Sequence, residues 1–291
     1  MIGPGAIGCA FAAALIEAGH DPQVVGRAAF DHLLVRHRGG SIDAPLRVVT
    51  DAAKIQPTAL VILATKAMQV PAAAEALGRA TAHGGVLVVA QNGLGHHDRV
   101  APFVGPDVAV IPAVVMLPAE RHSPGTVDVT GRANLILAES AESRGVEAAF
   151  AGSFLEVTIT EDWTSQAWMK LIANASLGAI GVLVRRDNGY LTDPDGRDLT
   201  LRVMAEIVPI ALAEGAILPD NFPQTLLAGI LDRANGHTSS IVTDRIVGMP
   251  TEWRERNAII SELGRKHGLP TPLNDMLTSI IRLGEPDRPD E

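Results

Sequence analysis

The sequence predicts an α/β domain with a doubly wound parallel sheet, followed by an all-α domain. Two patterns indicate this order. Up to about residue 115, short apolar runs alternate with Ala-rich segments, as strands buried on both faces alternate with helices. After Glu161 no strand pattern follows, and prolines separate segments of helical periodicity. We therefore expect two domains, one over residues 1–161 and one over residues 162–291.

The strands predicted for the first domain are short and continuously apolar. They are PQVVGR, ALVILAT, GVLVVAQ and VAVIPAVVML, at residues 22–27, 59–65, 85–91 and 108–117. Segments 9–18 and 70–82 between them have helix-forming composition. The later runs GTVDVTG and ANLILAE predict two strands joined by a tight turn at Gly131, which we expect to extend the sheet antiparallel.

The second domain shows only helical patterns. They cover residues 163–184, 197–215, 222–234, 252–268 and 273–283. Prolines punctuate these segments, at Pro219, Pro223, Pro250, Pro270 and Pro272. We therefore expect this domain to bury its core between helices alone.

Composition and charge exclude several classes of partner. The formal net charge is −9 and no basic run exceeds a pair, so a nucleic-acid partner is not expected. No apolar stretch reaches the ~18–20 residues of a membrane span, and the N-terminus lacks the basic lead-in of a signal peptide. Cys9 is the single cysteine, which fits a reducing cytosol. We expect a cytoplasmic protein without membrane contact.

The chain opens with MIGPGAIG, in which Gly3, Gly5 and Gly8 have the spacing of a dinucleotide-binding turn. A helical segment and then a β-like run follow, which is the context of a Rossmann-type domain. Gly3 allows the tight turn, Gly5 lets the backbone approach a pyrophosphate, and Gly8 lets helix and strand pack closely. Backbone N–H groups at the helix start, at Ala6, Ile7 and Gly8, would hold the anion. The alternative is a glycine-rich loop without a ligand.

The strand that should precede this turn is nearly absent from the sequence. Only Met1 and Ile2 come before the glycines, whereas a mean strand has ~5–6 residues. We expect that the first strand is truncated because an internal valine codon was read as the start. Intact mass of the native protein tests this expectation. A chain that truly begins at Met1 should fold poorly or bind its cofactor weakly, because neighbouring strands lose ladder partners.

The end of the second predicted strand indicates which nicotinamide cofactor is bound. Enzymes that use NAD place an acidic residue there for the ribose 2′-OH. This chain has Gly26 instead, followed by Arg27, whose guanidinium suits a 2′-phosphate. The sequence therefore favours NADP over NAD. The alternative is that Arg27 is an ordinary surface charge.

Polar residues also follow two of the buried strands. Lys66 ends LATK and Asn92 ends VVAQN, at the carboxyl ends where open α/β sheets bind ligands. For either residue alone, capping of a loop is an equal alternative. Lys170 and Asn174 lie four residues apart on one face of an otherwise apolar helix, which favours a polar cleft. The alternative is that Lys170 extends its ammonium to solvent.

Taken together, these motifs resemble those of 2-dehydropantoate 2-reductases, also called ketopantoate reductases. The matching segments, from residue 1 to about 283, include the glycine turn, LATKAMQV, QNGLG, AWMKLIANAS, SSIVTD and PTEWRERNAIISELGRKHGLPTPLN. The resemblance implies a Rossmann domain and a helical domain with the active site in the cleft between them. It also implies NADPH-dependent reduction of ketopantoate to pantoate, as in pantothenate biosynthesis. No cluster of His, Cys and Asp has metal-ligand spacing in the sequence, so we expect a reaction without a metal.

The resemblance assigns roles residue by residue. The catalytic lysine corresponds to Lys170 and its acidic partner to Glu252. Lys66, Asn92 and Arg27 correspond to residues on the cofactor side. The substrate-side polar residues correspond to Asn92, Asn174, Asn188 and Ser240.

Two positions depart from the family pattern and leave alternatives open. Gly178 and His237 stand where asparagine is common. One alternative is reduction of a different small 2-oxo acid, with a pocket enlarged at Gly178 and a changed polar contact at His237. Another is a non-catalytic NADP-binding sensor, although binding NADP requires neither Lys170 nor Glu252. A homodimer formed through the helical domain also stays open.

Overall fold

The computed structural model describes residues 1–231 and 238–286. The chain divides into two compact units, a first unit of Met1–Trp163 and a second unit from Thr164 onward. The first unit is α/β, and the described residues of the second unit form helices and no strand. This confirms the predicted fold class.

Strands build a five-stranded main sheet, a four-stranded second sheet and a two-stranded pair in the first unit. In chain order they are β1 (Val24–Val25), β2 (His32–His37), β3 (Gly40–Pro45), β4 (Val48–Val49), β5 (Leu60–Leu63), β6 (Gly85–Val89), β7 (Val108–Met116), β8 (Ala119–Ser123), β9 (Thr126–Val129), β10 (Asn134–Ala138) and β11 (Glu156–Thr160). The main sheet has the order β11-β10-β7-β6-β5, and only the β7–β10 pair in it is antiparallel. The second sheet has the order β3-β2-β9-β8, and β1 and β4 form the two-stranded pair.

The first residues of the chain occupy the position of the predicted central strand. Ile2 bridges Val25 of β1 on one side and Leu63 of β5 on the other, both in parallel. Its N–H donates to Ile62 O over 2.9 Å, and Val25 N–H donates to Met1 O over 2.8 Å. Because β1 pairs in parallel with β4, these contacts join the β1–β4 pair to the main sheet. The N-terminal ammonium is buried here, and burial lowers its pKa to about 6.

Four helices accompany the sheets of the first unit. They are α1 (Ala6–Glu17), α2 (Ala74–Ala80), α3 (His96–Val100) and α4 (Ala141–Ala149). Residues 10–14 of α1 have no exposed surface, because α1 packs on the second sheet and shares one apolar cluster with β7 and β10 of the main sheet. A helix that is apolar on all sides is a buried helix. Its alanines allow close packing, and its only aromatic side chain, Phe11, is fully buried.

The structure corrects the pairing predicted for GTVDVTG and ANLILAE. These strands, β9 and β10, do not pair with each other: β9 pairs with β2 and β8, whereas β10 pairs antiparallel with β7 and parallel with β11. Gly131 packs instead against Pro118, since a Cβ at Gly131 would lie 2.6 Å from Cγ of Pro118. The sequence analysis predicted none of the strands β2, β3, β4, β8 and β11. Of these, β3 and β8 are the two edges of the second sheet and carry no buried run.

The helices of the second unit match the predicted segments with one omission. They are α5 (Trp163–Val184), α6 (Pro194–Ala213), α7 (Phe222–Leu231), α8 (Ser240–Ile246), α9 (Ile259–His267) and α10 (Pro272–Leu283). A π-helical turn, Arg254–Ala258, leads into α9. The short helix α8 is not predicted by the sequence. Residues 232–234, predicted to continue α7, lie outside the described residues.

The helix α5 is the core helix of the second unit. By length and composition it could cross a membrane, with a mean hydropathy of 1.6 over 18 residues, so the expectation that no stretch is long enough is wrong. However, 67% of that window is buried inside the protein. Gly178 and Gly181 let α8 approach closely, since a Cβ at either would lie within 3 Å of Ile241 or Val242 side-chain carbons.

Two helix glycines of the first unit should respond oppositely to alanine. A Cβ at Gly8 would overlap the Gly3 carbonyl oxygen, which is backbone and cannot move aside. We expect Gly8→Ala to lower the free energy of unfolding by about 2 kcal/mol or more. Gly145 in α4 is exposed with open space around it, so Gly145→Ala should raise the free energy of unfolding by about 0.5–1 kcal/mol. Urea unfolding measures the change in the free energy of unfolding for both variants. Equal midpoints for Gly8→Ala and the unchanged protein would contradict the prediction for Gly8.

Candidate active site

The glycine turn of the first unit is closed by contacts that leave no room for side chains. Gly3 has a φ of +93°, and a Cβ there would lie 2.7 Å from Cγ2 of Thr65. Gly8 lies directly against the Gly3 carbonyl group. The first backbone hydrogen bond of α1 is donated by Cys9 N–H to Gly5 O over 2.9 Å. The N–H groups of residues 6–8 precede it and are directed outward from the helix N-terminus.

Gly5 differs from its two partners because packing does not require it. A Cβ there would meet no atom within 4 Å, and its φ of −78° is accessible to any residue. Gly5 therefore leaves open space beside the N-terminus of α1. A pyrophosphate needs both this space and the N–H donors, so the residues present fit the diphosphate of a dinucleotide.

The end of β1 explains why no acidic residue follows it. A Cβ at Gly26 would lie 2.6 Å from Cγ of Pro4 and 3.2 Å from Cγ1 of Val48. The glycine turn thus occupies the place where an acidic side chain would begin. Arg27 follows at once and is exposed, so its guanidinium is accessible to an anionic ligand.

Lys66 and Asn92 lie at the carboxyl ends of the neighbouring parallel strands β5 and β6. Both are partly buried, and Lys66 precedes a 3₁₀ turn in which its N–H donates to Gln69 Oε1 over 3.2 Å. Thr65, which touches Gly3, connects the Lys66 loop to the glycine turn. The structure therefore places the glycine turn and the Lys66 loop at one edge of the sheet.

Three residues that the sequence analysis missed brace the Asn92 loop. Gln91 Nε2 donates to Thr65 O over 2.9 Å, which ties the ends of β5 and β6 together. Arg99 donates to Gln91 Oε1 over 3.1 Å and to Leu94 O over 2.7 Å. The ring of His96 is buried with Nε2 3.0 Å from Gln91 O, so Nε2 carries the proton. Their signal in the sequence was a run of polar residues after a buried strand.

In the second unit, Lys170 and Asn174 lie one turn apart on α5, and both are partly buried. The pKa of Lys170 is lowered to about 8, first by burial and then by the positive charge of Arg256, while the Glu252 carboxylate acts in the opposite direction. Lys170 is therefore an ammonium that can give up its proton near neutral pH. This is the property required of a general acid.

Glu252 is buried at the entry to the π-helical turn and pairs with Arg256. Arg256 Nη2 lies 3.5 Å from Glu252 Oε2, and both side chains are almost without exposed surface. The same guanidinium donates to Ser240 Oγ over 2.7 Å and to Ser239 Oγ over 3.3 Å. The structure thus brings Glu252 and Ser240 together through Arg256, a residue that sequence reasoning missed.

Asn257, also missed, fixes the π-helical turn to α5. Its Nδ2 donates to Ala175 O over 2.8 Å, and its side chain is fully buried. Because Ala175 follows Asn174, this bond holds the turn beside the Lys170–Asn174 face. A π-helical turn has no composition signal, although such turns occur frequently at functional sites.

Gly178 does not enlarge a pocket, which corrects that expectation. The space beside it is filled, because a Cβ would lie 2.9 Å from Cγ2 of Ile241, 3.2 Å from Ser239 Oγ and 3.7 Å from Arg256 Nη1. Asn188 lies in a 3₁₀ turn after α5 and, among the described residues, shares no hydrogen bond with Lys170, Glu252 or Ser240. His237 lies outside the described residues.

A carboxylate near the end of the described chain anchors the segment that carries Glu252. Glu285 accepts hydrogen bonds from Thr251 N–H over 2.9 Å and from Thr251 Oγ1 over 2.6 Å. It also pairs with Arg245 Nη2 over 3.0 Å, and Arg245 in turn donates to Ile281 O. Glu285 therefore links Arg245 of α8 to Thr251, the residue before Glu252, and Arg245 in turn links α8 to α10.

We expect Glu285→Gln to lower the free energy of unfolding by about 1.5–3 kcal/mol. The amide keeps one acceptor oxygen but loses the charge that Arg245 and Thr251 share. Glu262→Gln is the matched control, because Glu262 is exposed on α9, and it should change stability by less than about 0.5 kcal/mol. Urea unfolding followed by circular dichroism measures both. A midpoint for Glu285→Gln equal to that of Glu262→Gln would show that the anchor contributes nothing.

Comparisons with known proteins agree with this arrangement. The family model described as "Ketopantoate reductase PanE/ApbA" matches residues 1–142, and "Ketopantoate reductase PanE/ApbA C terminal" matches residues 162–285. The 2-dehydropantoate 2-reductase of Caulobacter vibrioides is 32% identical over 97% of this chain and 97% of its own length.

Two solved structures show the same fold at lower identity. One is a dimeric ketopantoate reductase from Staphylococcus aureus, with a TM-score of 0.88, 21% identity, and coverage of 98% of this chain and 97% of that chain. The other is a D-mandelate dehydrogenase with NADH and anilino(oxo)acetate, with a TM-score of 0.83, 21% identity, and 97% coverage of both chains. Because both family models and the full-length relative agree, the chain belongs to the ketopantoate reductase family and is an NAD(P)-dependent oxidoreductase that acts on a CH–OH group.

Proposed function

We propose that this chain reduces 2-dehydropantoate to pantoate with NADPH, as in pantothenate biosynthesis, with Lys170 as the proton donor. The observation that carries the proposal is a partly buried lysine with a pKa near 8, set one turn from Asn174 and within the field of Glu252. A binding module has no need of such an acid. The relatives named 2-dehydropantoate 2-reductase support the choice of substrate.

The residues of the second unit suit the protonation half of this reaction. NADPH, when bound, supplies the hydride that adds to the ketone carbon. Negative charge then develops on the ketone oxygen, and the Lys170 ammonium stabilises that charge and donates a proton to it. The product is the 2-hydroxy acid, and Lys170 is left as a neutral amine. Asn174, Asn188 and Ser240 supply neutral donors and acceptors for the rest of the substrate.

The residues of the first unit suit NADP. The N–H groups at the start of α1 would hold the pyrophosphate, and the exposed Arg27 would hold the 2′-phosphate. Lys66 and Asn92 at the neighbouring strand ends would contact the cofactor, and Asn92 also the substrate. Gly26 supports this preference, because Pro4 excludes the acidic side chain that an NAD enzyme uses.

A second candidate keeps the chemistry and changes the 2-oxo acid. Arg256 beside Gly178 favours it, because a guanidinium now lies where a neutral side chain could have extended from α5. The D-mandelate dehydrogenase with the same fold acts on a different class of 2-hydroxy acid, as its name states. NADPH oxidation on addition of 2-dehydropantoate separates the two candidates. Absence of turnover with NADPH bound would move the search to other small 2-oxo acids.

Two further points stay proposals. A homodimer through the second unit is supported by the exposed apolar face that Met276, Ile280 and Leu283 form on α10, and by the dimeric relative in Staphylococcus aureus. The cytoplasm stays the expected location.

We expect Lys170→Ala to lower kcat by about 10²–10⁴-fold, the usual contribution of a general acid. The affinity for NADPH, measured by its fluorescence, should stay within about twofold of the unchanged protein. A non-catalytic sensor would instead behave alike with and without Lys170.

In the unchanged enzyme kcat/KM should fall about tenfold per pH unit above pH 8, because the acid loses its proton there. This decline should disappear in Lys170→Ala.

We expect Arg27→Ala to weaken NADPH binding by about 10–100-fold, because charge-assisted hydrogen bonds to the 2′-phosphate are lost. NADH lacks that phosphate, so its affinity should stay within about twofold. Arg38→Ala is the matched control, since Arg38 is also exposed in the first unit but lies in the turn between β2 and β3. Fluorescence titration with both nucleotides measures the difference. Equal losses of affinity for NADPH and NADH would show that Arg27 does not bind the 2′-phosphate.

A further inference from the structure

Arg256 has a guanidinium to which the proposed reaction assigns no contact with the substrate or the cofactor. Its side chain is almost completely buried, and its Nε has no hydrogen-bond partner among the described residues. Burying a cation is costly unless its partners are well placed, and the Glu252 contact of 3.5 Å is long. The shortest of its hydrogen bonds to side chains reaches Ser240, at 2.7 Å.

The direction of these hydrogen bonds determines what the two serines can do. A guanidinium only donates, so Ser239 and Ser240 accept from Arg256 through their oxygens. Each hydroxyl proton must then point elsewhere. Ser239 is the N-cap of α8, yet its side chain makes no cap hydrogen bond there. Ser240 is exposed, so its O–H can donate a hydrogen bond to a ligand on the solvent side.

The charges in this cluster favour an anion as that ligand. Lys170 and Arg256 are cations, and the Glu252 carboxylate acts on both, through its effect on the pKa of Lys170 and through its ion pair with Arg256. Donors polarised by a cation bind anions more strongly than neutral groups. A 2-oxo acid carries its carboxylate next to the ketone that Lys170 would protonate.

Glycine permits this arrangement. Because Gly178 has no Cβ, Ile241 and Ser239 of the α8 segment lie directly against α5, with Arg256 Nη1 beside them. The π-helical turn places Arg256 on the buried side together with Asn257.

We propose that Arg256 is a positioning residue that acts through Ser240 and makes this site selective for the carboxylate of the substrate. The inference rests on the proposed function, in that it assigns the group that recognises the anionic end of a 2-oxo acid. Arg256 itself, being buried, does not touch the substrate.

A double-mutant cycle tests the proposal. Arg256→Met and Ser240→Ala should each raise KM for 2-dehydropantoate by about tenfold or more, with kcat changed less than about threefold. Because both act on one hydrogen-bond chain, the double variant should be no worse than the worse single variant. Arg256→Lys keeps the charge and should recover part of the loss. Arg254→Met is the matched control, since Arg254 is exposed and lies over the Trp253 ring.

Two readouts separate this role from a purely structural one. With 2-dehydropantolactone, which has no carboxylate, Arg256→Met should leave kcat/KM within about twofold, so the preference for the acid collapses. The pH at which kcat/KM begins to fall should move upward, because Lys170 then faces Glu252 without the opposing cation. Additive losses in the double variant, or equal losses for acid and lactone, would overturn the proposal. If Arg256→Met does not fold, Arg256→Lys and Ser240→Ala with both substrates decide it.

Failure of the proposed function can be told apart from failure of this inference. If the unchanged protein binds NADPH but does not turn over 2-dehydropantoate, calorimetry with pantoate and with neutral pantolactone replaces the kinetics. Binding of pantoate that weakens at least tenfold in Arg256→Met, with pantolactone unaffected, supports the carboxylate site. No preference for pantoate in the unchanged protein overturns it.

Discussion

Close backbone approach at glycines is the constraint on which both units depend. In the first unit the carbonyl of Gly3 lies against Gly8, and this contact sets the angle at which α1 leaves the sheet. The helix N-terminus and its N–H groups take their direction from that angle. In the second unit Gly178 and Gly181 let α8 lie against α5, which brings Ser239 and Ser240 to Arg256. A methyl group at these contacts would displace the groups that we propose to bind ligands.

Electrostatics in the second unit follow from this tight packing. Lys170 is partly buried and Glu252 and Arg256 are almost completely buried, so each charge acts on the others more strongly than it would on a protein surface. Burial and Arg256 favour a neutral Lys170, whereas Glu252 favours the ammonium. The balance leaves the pKa in the range where a proton can be transferred. Neither carboxylate nor guanidinium could be removed without shifting that balance.

The predictable and unpredictable parts of the molecule differ in the kind of signal they carry. The glycine turn could be predicted because the spacing of Gly3, Gly5 and Gly8 is typical of a dinucleotide-binding turn. The helix α5 could be predicted because its apolar segment is long. The edge strands β3 and β8 could not, since their exposed residues carry no buried pattern. The alternative of a pocket enlarged at Gly178 was wrong, because a sequence does not show what packs against a missing side chain. In the sequence, Arg256 is one of several charged residues in WRERN and nothing distinguishes it from them. Only the fold shows that it is buried.

The π-helical turn at Arg254–Ala258 gives this site an unusual route for change. Such a turn is equivalent to an α-helix that holds one extra residue. Removing a single residue there would restore regular helical spacing and rotate a different side chain into the position of Arg256, while the α9 helix beyond it kept its own packing. In related proteins, deletion of one codon could therefore replace the side chain that contacts Ser240, which is Arg256 in this chain. If Arg256 positions Ser240 as proposed, substrate preference could then diverge without any substitution at Lys170 or in the glycine turn.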